Sequence, residues 1–272
     1  MLSTVNKTMN NESKGDQHNP QNIHIHKNSP MNTQKCHSNP LVSCSSCRLS
    51  TLCLPIALNS DEVNQLDEIV QRSKPLGKGD HLYRGGNPFS SIYAVRSGSF
   101  KSYTLSTDGT EQVNGFYLPG EIIGMDGISS LNHGSSAIAL ERSSVCEIPF
   151  HRLEELSRHL PSLQHHFFQI MGKEIAKDQK MLTLLSCNSA EERVASLLLS
   201  FSARNDRRHL SPTKLRLTMT RAEIGNYLGI TVETVSRILT RLQGQEVLTV
   251  DNKDVEIMDL VKLRQVARIF SD

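Results

Sequence analysis

Three thiols stand at Cys44-x2-Cys47-x5-Cys53, and a fourth, Cys146, falls in a run, Val145-Cys146-Glu147-Ile148, with the β-branched character of a strand. Four thiolates suit zinc or an iron–sulfur cluster, because both metals take soft sulfur ligands. A zinc ribbon ordinarily adds a second closely spaced pair. Here Cys146 and Cys187 stand alone, so spacing leaves the metal open. Taken singly, those two cysteines also fit the common role of a small buried hydrophobe.

A second constellation runs from Thr220 to Gln243 and reads as two short helices joined by a turn. Thr220 and Glu223 have the spacing of a capping box, and Ala222, Ile224 and Leu228 supply an apolar face. Gly229 permits the tight turn, and Thr231 caps a second helix carrying Val235, Ile238, Leu239 and Leu242. This is the pattern of a helix-turn-helix, whose second helix lays its N-terminal residues against major-groove base edges. That geometry selects Glu233, Ser236 and Arg237. Arg237 can donate twice to guanine, Glu233 can accept from a cytosine amine, and Ser236 can meet a base or a phosphate. Thr220, Arg221 and Arg241 suit phosphates, which give affinity without sequence information. The plain alternatives are a solvated charged face and an ordinary helical hairpin. Cap, turn glycine, apolar face and polar trio together favour double-stranded DNA as the partner. Beyond them, Val247–Val250 and Val255–Met258 flank the polar tip Asp251-Asn252-Lys253-Asp254, the pattern of a wing.

The elements that must position these residues follow from composition and punctuation. At 272 residues, 37% hydrophobic and 21% charged, the chain can bury more than one core, and a net charge of +2 excludes a uniformly polycationic or polyanionic protein. No apolar run approaches the roughly 20 residues of a membrane span, and Met1 to Pro40 lacks a secretory apolar core, so a cytoplasmic protein with reduced cysteines is expected. Residues 1–35 are poor in branched and aromatic residues and read as a disordered tail, in which His18, His24 and His26 receive no role. From about Leu76 to Glu147, short β-branched and aromatic runs alternate with glycine-rich turns, as in an all-β barrel or jelly roll. Pro161 then opens one long helix to about Ser186. Phe168, Met171, Ile175, Asp178, Leu182 and Leu185 recur on it at spacings of three and four, a coiled-coil seam. Periodicity alone allows the helix to lie on its own β-domain instead, but a carboxylate on the seam is the kind of polar interruption that tunes association.

The fold class is therefore α+β: an N-terminal jelly-roll or β-roll sensor domain, a long dimerisation helix and a C-terminal winged helix-turn-helix. The expected divisions are the tail at 1–35, a cysteine segment at 36–55, the β-roll at 56–150, the dimerisation helix at 151–186 and the DNA-binding domain at 187–272. No nucleotide-binding glycine loop, nucleophile elbow or His-Glu metalloprotease motif occurs, which argues against an enzyme.

From about Cys44 to Asp259 the chain resembles the FNR proteins, the oxygen-sensing branch of the CRP/FNR family of bacterial transcription regulators. The resemblance rests on the cysteine spacing, on Cys-Glu-Ile-Pro-Phe at 146–150, on Leu-Thr-Met-Thr-Arg, and on Ile-Gly-Asn-Tyr-Leu-Gly and Thr-Val-Glu-Thr-Val-Ser-Arg. It implies that Cys44, Cys47, Cys53 and Cys146 bind a 4Fe-4S cluster. It also implies that Glu233, Ser236 and Arg237 read TTGAT-type half-sites. The cluster-loaded form would be a homodimer, through Phe168, Met171, Ile175, Asp178 and Leu182, that activates or represses genes of anaerobic metabolism together with RNA polymerase. Oxygen would destroy the cluster and return weakly binding monomers, with Asp178 keeping the apo form apart. Cys36 lies outside the spacing and reads as a spare thiol. Leu52 is a candidate shield for the cluster, and Arg48 a cation beside it. The turn at Asp108-Gly109 and the surface near Ser135 are candidate polymerase contacts. The related cyclic-AMP branch uses a Gly-Glu pair and a phosphate-binding arginine. Gly120-Glu121 is present, but Met125 to Leu140 contains no lysine or arginine, so a cyclic nucleotide is not expected. The alternative kept is a zinc- or thiol-switched regulator of the same family. A redox enzyme or electron carrier is the reading from another class.

Overall fold

A computed structural model describes residues 43–268; the expected tail and Cys36 lie outside them. Asn59 opens α1 (Ser60–Ile69) with a reciprocal capping box to Glu62, and Val63, Leu66 and Ile69 turn inward. This helix lies before the β-rich stretch expected from about Leu76, inside the division assigned to the β-roll at 56–150. The strands follow: β1 (Gln71–Arg72), β2 (His81–Tyr83), β3 (Ser91–Ser97), β4 (Phe100–Leu105), β5 (Glu111–Tyr117), β6 (Ile122–Ile123), β7 (Ser136–Ala139) and β8 (Ser144–Pro149). They form two four-stranded sheets, ordered β1-β8-β3-β6 and β2-β7-β4-β5. Alternation along β3 explains the layering. Val95 joins Phe100, Ala137 and Ala139 in one core, while Ile92 and Ala94 join Leu54, Leu66, Ile148, Leu163 and Phe167 in another.

The long helix expected to open at Pro161 is α3 (Pro161–Cys187), and a separate helix, α2 (Phe150–His159), precedes it within the division expected at 151–186. Pro161 explains the break: its ring disfavours a helical residue before it, and Leu160 has a non-helical ψ of 86°. Only the N-terminal part of α3 is buried, through Leu163, His166 and Phe167. Ser189 and Glu192 cap α4 (Ala190–Arg207). The remaining elements are β9 (Lys214–Arg216), α5 (Arg221–Leu228), α6 (Val232–Gly244), β10 (Leu248–Asp251), β11 (Asp254–Ile257) and α7 (Leu260–Val266). The expected wing is present, and β9 adds a third strand to it in the order β10-β11-β9. Val113, Phe116 and Leu118, from β5 and the residue after it, share one core with Leu198, Phe201, Ile224 and Leu228 of the helical part. Among the described residues no helix is long and apolar enough to cross a membrane.

Candidate sensor and nucleic-acid sites

Cys44, Cys47, Cys53 and Cys146 line one pocket together with Leu49, Leu54, Leu66, Ala94, Arg96 and Ile148. Turns from Ser43 to Cys53 bring the first three thiols there, and β8 brings Cys146, which stands opposite Ala94 on one side and Arg72 on the other. Asp67 of α1 accepts the Cys44 backbone N–H at 2.8 Å and pairs with Arg72, tying the cysteine loop to the strand beneath it. Burial, and then Asp67, pushes the Cys44 thiol well above its ordinary range. Burial likewise pushes Cys53 up to about 12. It raises Cys146 too, against the opposing pull of Arg72 and Arg96. These groups are thiols when free, and a metal must displace their protons to bind.

Among the described residues no group of three or more His, Cys, Asp or Glu side chains is placed to hold a single metal ion. The donor set at the pocket is nonetheless four cysteines around an apolar wall. That set fits a polynuclear iron–sulfur cluster, where each iron takes its own thiolate, better than one tetrahedral zinc at about 2.3 Å from every sulfur. The cations beside the thiols are Arg72 and Arg96, neither of which the spacing of the cysteines pointed to. Arg48 is exposed and outside the lining. Leu52 is outside it as well, and its side chain meets Gly120 instead.

The helix-turn-helix is built as its sequence dictates. Thr220 accepts from the Glu223 N–H while Glu223 reaches back, and Thr231 accepts from the Thr234 N–H. Gly229 has φ of 63°, the left-handed cap that lets the chain turn. Ala222 is exposed, contrary to the expected apolar face. Its place is taken by Gly225, where an added Cβ would lie 2.6 Å from the Ile230 carbonyl oxygen. The two helices approach so closely that no side chain fits, a constraint readable from a glycine four residues before the turn.

Glu233 and Arg237 are exposed and Ser236 half-buried on the first turns of α6, whose opposite face buries Val235, Ile238, Leu239 and Leu242. A bond with its own backbone N–H, and then Thr231, holds the Glu233 carboxyl below its usual range. Arg237 donates to Thr234 Oγ1 at 3.1 Å, and Arg221 to Ser236 Oγ at 3.3 Å. Thr220 spends its hydroxyl on the capping box. Arg241 pairs with Glu191 at 3.1 Å. Val232, which sequence reasoning passed over, exposes an apolar side chain beside Glu233, suited to a thymine methyl.

On α3, Phe168, Ile175 and Leu182 are 60%, 58% and 68% exposed, so this stripe does not lie on the β-domain. Met171 is half-buried and Asp178 exposed. Met171, Ile175, Asp178 and Leu182 also border a cavity of about 660 Å³ between α3 and the sheet β2-β7-β4-β5. Its lining carries Asp126, Glu174 and Asp178 and no lysine or arginine. The Asp126 carboxylate accepts the N–H and hydroxyl of Ser135, both at 2.8 Å. Ser135 is therefore buried, and the expected contact surface there reduces to exposed neighbours such as Leu131 and Asn132. Glu121 is held by Arg204 and by the Leu118 N–H.

Comparison with known proteins gives two family models, a Crp-like helix-turn-helix domain over residues 192–266 and a cyclic nucleotide-binding domain over residues 73–159. The chain is 49% identical over 224 residues to the transcriptional activator protein Anr of Pseudomonas protegens, covering 82% of this chain and 92% of that one. It is 46% identical to the fumarate and nitrate reduction regulatory protein of Vibrio cholerae, over 84% of this chain and 91% of the relative. Among solved structures, FixK2 from Bradyrhizobium japonicum superposes with a TM-score of 0.66 at 29% identity, over 73% of this chain and 97% of that one.

Proposed function

The chain belongs to the CRP/FNR family as an FNR-type regulator of transcription, not an enzyme, and on that premise we propose that it binds DNA according to oxygen supply through a 4Fe-4S cluster held by Cys44, Cys47, Cys53 and Cys146. The observation that carries this reading is the convergence of those four thiols, from a loop and a distant strand, on one pocket. The names of relatives, a fumarate and nitrate reduction regulatory protein and an anaerobic regulatory protein among them, support a role in anaerobic regulation. When bound, the cluster supplies oxygen-sensitive chemistry. The protein's own residues do the rest. Asp67 anchors the Cys44 loop, and Arg72 and Arg96 offset the negative charge that four thiolates gather.

Cys53 caps the turn Leu54–Ala57, whose fully buried Leu54 shares a core with Leu163 and Phe167 of α3. Through that contact Leu54 would pass any fixing of the Cys53 turn on to α3, whose exposed stripe would pair with a second copy. Two α6 helices then reach successive major grooves of a palindrome of TTGAT-type half-sites. Glu233, Ser236 and Arg237 read bases, and Arg221 and Arg241 hold phosphates, Arg241 by exchanging Glu191 for the backbone. RNA polymerase is the partner, met through exposed surfaces such as the Asp108-Gly109 turn. A cyclic nucleotide is not the proposed signal, since the cavity lining offers no lysine or arginine to a phosphate and Glu121 is committed to Arg204.

The test is iron, sulfide and visible absorption of protein purified without air, then the same spectrum and the oligomer mass after air is admitted. Blue-region absorption that bleaches as dimer becomes monomer is expected. A colourless zinc protein of unchanged mass would leave DNA binding intact and require the zinc- or thiol-switched alternative.

A further inference from the structure

Strand β5 is the outer strand of its sheet, so its outward backbone groups need a partner. Asn226 of α5 supplies one. Its Nδ2 donates to the Glu111 carbonyl at 2.7 Å, its Oδ1 accepts from the Val113 N–H at 2.6 Å, and its own carbonyl accepts from Gln112 Nε2 at 3.1 Å. The side-chain amide thus stands in for the peptide group of an added strand. Beside it, Lys101 of β4 is only 8% exposed and reaches Glu111 at 2.9 Å and Glu223 of α5 at 3.0 Å. On the α4 side, Arg204 donates to Glu121 and to the Phe116 carbonyl, and Phe116 packs against Phe201 and Tyr227. Apolar packing alone tolerates sliding, whereas paired donors and acceptors fix both position and angle.

We infer that the β4–β5 hairpin is the platform that sets the attitude of the DNA-reading helices, with Lys101 and Asn226 as positioning residues for site recognition. They hold α5, and α5 holds α6 through the close approach at Gly225 and the cap at Gly229. In a dimer the two recognition helices then present themselves at one separation and one relative rotation. The inference rests on the reading as a dimer on paired half-sites. One inserted base pair moves the far half-site by about 3.4 Å and turns it by about 35°. A clamped domain cannot follow that change, and a released one can.

The test compares cluster-loaded wild type, Lys101→Met, Asn226→Ala and Lys101→Arg, without air, on palindromes of TTGAT half-sites at the preferred spacing and with one base pair added or removed. Iron content, dimer mass and melting temperature are recorded for each. Wild type should discriminate sharply between spacings. Lys101→Met and Asn226→Ala should shrink that ratio at least about fivefold, the low end of ordinary coupling between sites, and Lys101→Arg should restore it. Discrimination against a changed base within a half-site should persist, because Glu233, Ser236 and Arg237 are untouched. If both loosening variants keep the wild-type spacing ratio, the inference is wrong. Loss of base discrimination in step with spacing discrimination would also overturn it, since α5 would then be unfolded rather than released. Should Lys101→Met fail to fold, Asn226→Ala decides alone. A wild type indifferent to spacing would refute the two-site reading and this inference with it.

Discussion

Replacing Gly225 tests whether the spacing of the two DNA-reading helices is set by backbone contact. A Cβ there would lie 2.6 Å from Ile230 O and 3.4 Å from both Thr231 C and Val232 N. Reaching even a 3.0 Å contact demands a shift of at least 0.4 Å, and the atoms that must give are the turn and the first residue of α6. Overpacking of this kind costs about 1–3 kcal/mol, and the helix propensity gained on leaving glycine returns about 1 kcal/mol. Gly225→Ala should therefore lower stability by about 0–2 kcal/mol. Gly225→Val adds branched methyls against the same backbone and loses part of the propensity gain, so it should cost more than the alanine. The displaced atoms begin the helix that carries Glu233 and Arg237, so specific DNA affinity should fall further than stability does. A bidentate base contact is worth about 1–3 kcal/mol of discrimination. Weakening it in each half-site should cut the specific-to-nonspecific affinity ratio by about tenfold or more for valine. The assay is competition binding at fixed salt, beside thermal unfolding of the same preparations. A valine variant with wild-type melting and a wild-type specificity ratio would refute the argument from close approach.

Arg237→Met should cost about 1–3 kcal/mol per half-site and relax preference at a single base position, with the salt dependence of binding unchanged; a uniform loss across sequences would make Arg237 a phosphate contact instead. Asp178→Ala should dimerise in air without a cluster, and light scattering that finds only monomer would remove Asp178 from the seam. Burial raises the Glu121 and Glu223 carboxyls, but Arg204 and the Leu118 N–H hold the first, and the Thr220 N–H and Lys101 the second, below the ordinary 4.5. A depressed carboxyl stabilises fully above its unfolded value and loses that contribution as pH falls through its folded value. The docking of the helical part on β5 should thus be insensitive between pH 5 and 7 and weaken below about 4.5. Amide hydrogen exchange at Val113 and Leu118 reads it, and equal protection above and below that window would contradict the assignment.

The helix-turn-helix was legible because its signals are local. Thr220, Glu223, Gly229 and Thr231 specify caps and a turn whatever surrounds them, and each does so here. The cysteine spacing was legible for the same reason, and Cys146 does sit in a strand. What surrounds the thiols was not. Asp67, Arg72 and Arg96 come from a helix and two strands, and only the antiparallel register β1-β8-β3 brings them to Cys146. Helix α1 was missed because it falls between the cysteine segment and the first strand signals near Leu76, inside a division read as β-roll, although Asn59 and Glu62 carry the spacing of a capping box. Asn226 belongs to a motif that marked the family, yet its bonds to Glu111 and Val113 span more than a hundred residues of sequence, and no local pattern carries them.

The energetics of the α3 stripe explain why so small a device as a turn after Cys53 can serve as a switch under the proposed reading. Fully burying a large apolar side chain is worth about 1.5–3 kcal/mol. Phe168, Ile175 and Leu182 each have about three-fifths of that still to gain, and a pair of helices has two sets of them. The total is roughly 5–11 kcal/mol. Against it stand an association cost of about 4–15 kcal/mol and, for two Asp178 carboxylates a few ångströms apart near the surface, about 3–4 kcal/mol. The apolar gain overlaps only the low end of these costs, so the stripe alone does not secure the dimer, and each 1.4 kcal/mol moves the balance about tenfold. Leu54 is 1% exposed and shares its core with Leu163, itself fully buried, so a displacement of the Cys53 turn cannot be absorbed without repacking the base of α3. Cys53 and Cys146, if both held a cluster, would fix the turn that carries Leu54 and so favour one packing of that core. A stronger seam, without Asp178, would hold the dimer regardless of the cluster, and a weaker one would leave the cluster nothing to tip.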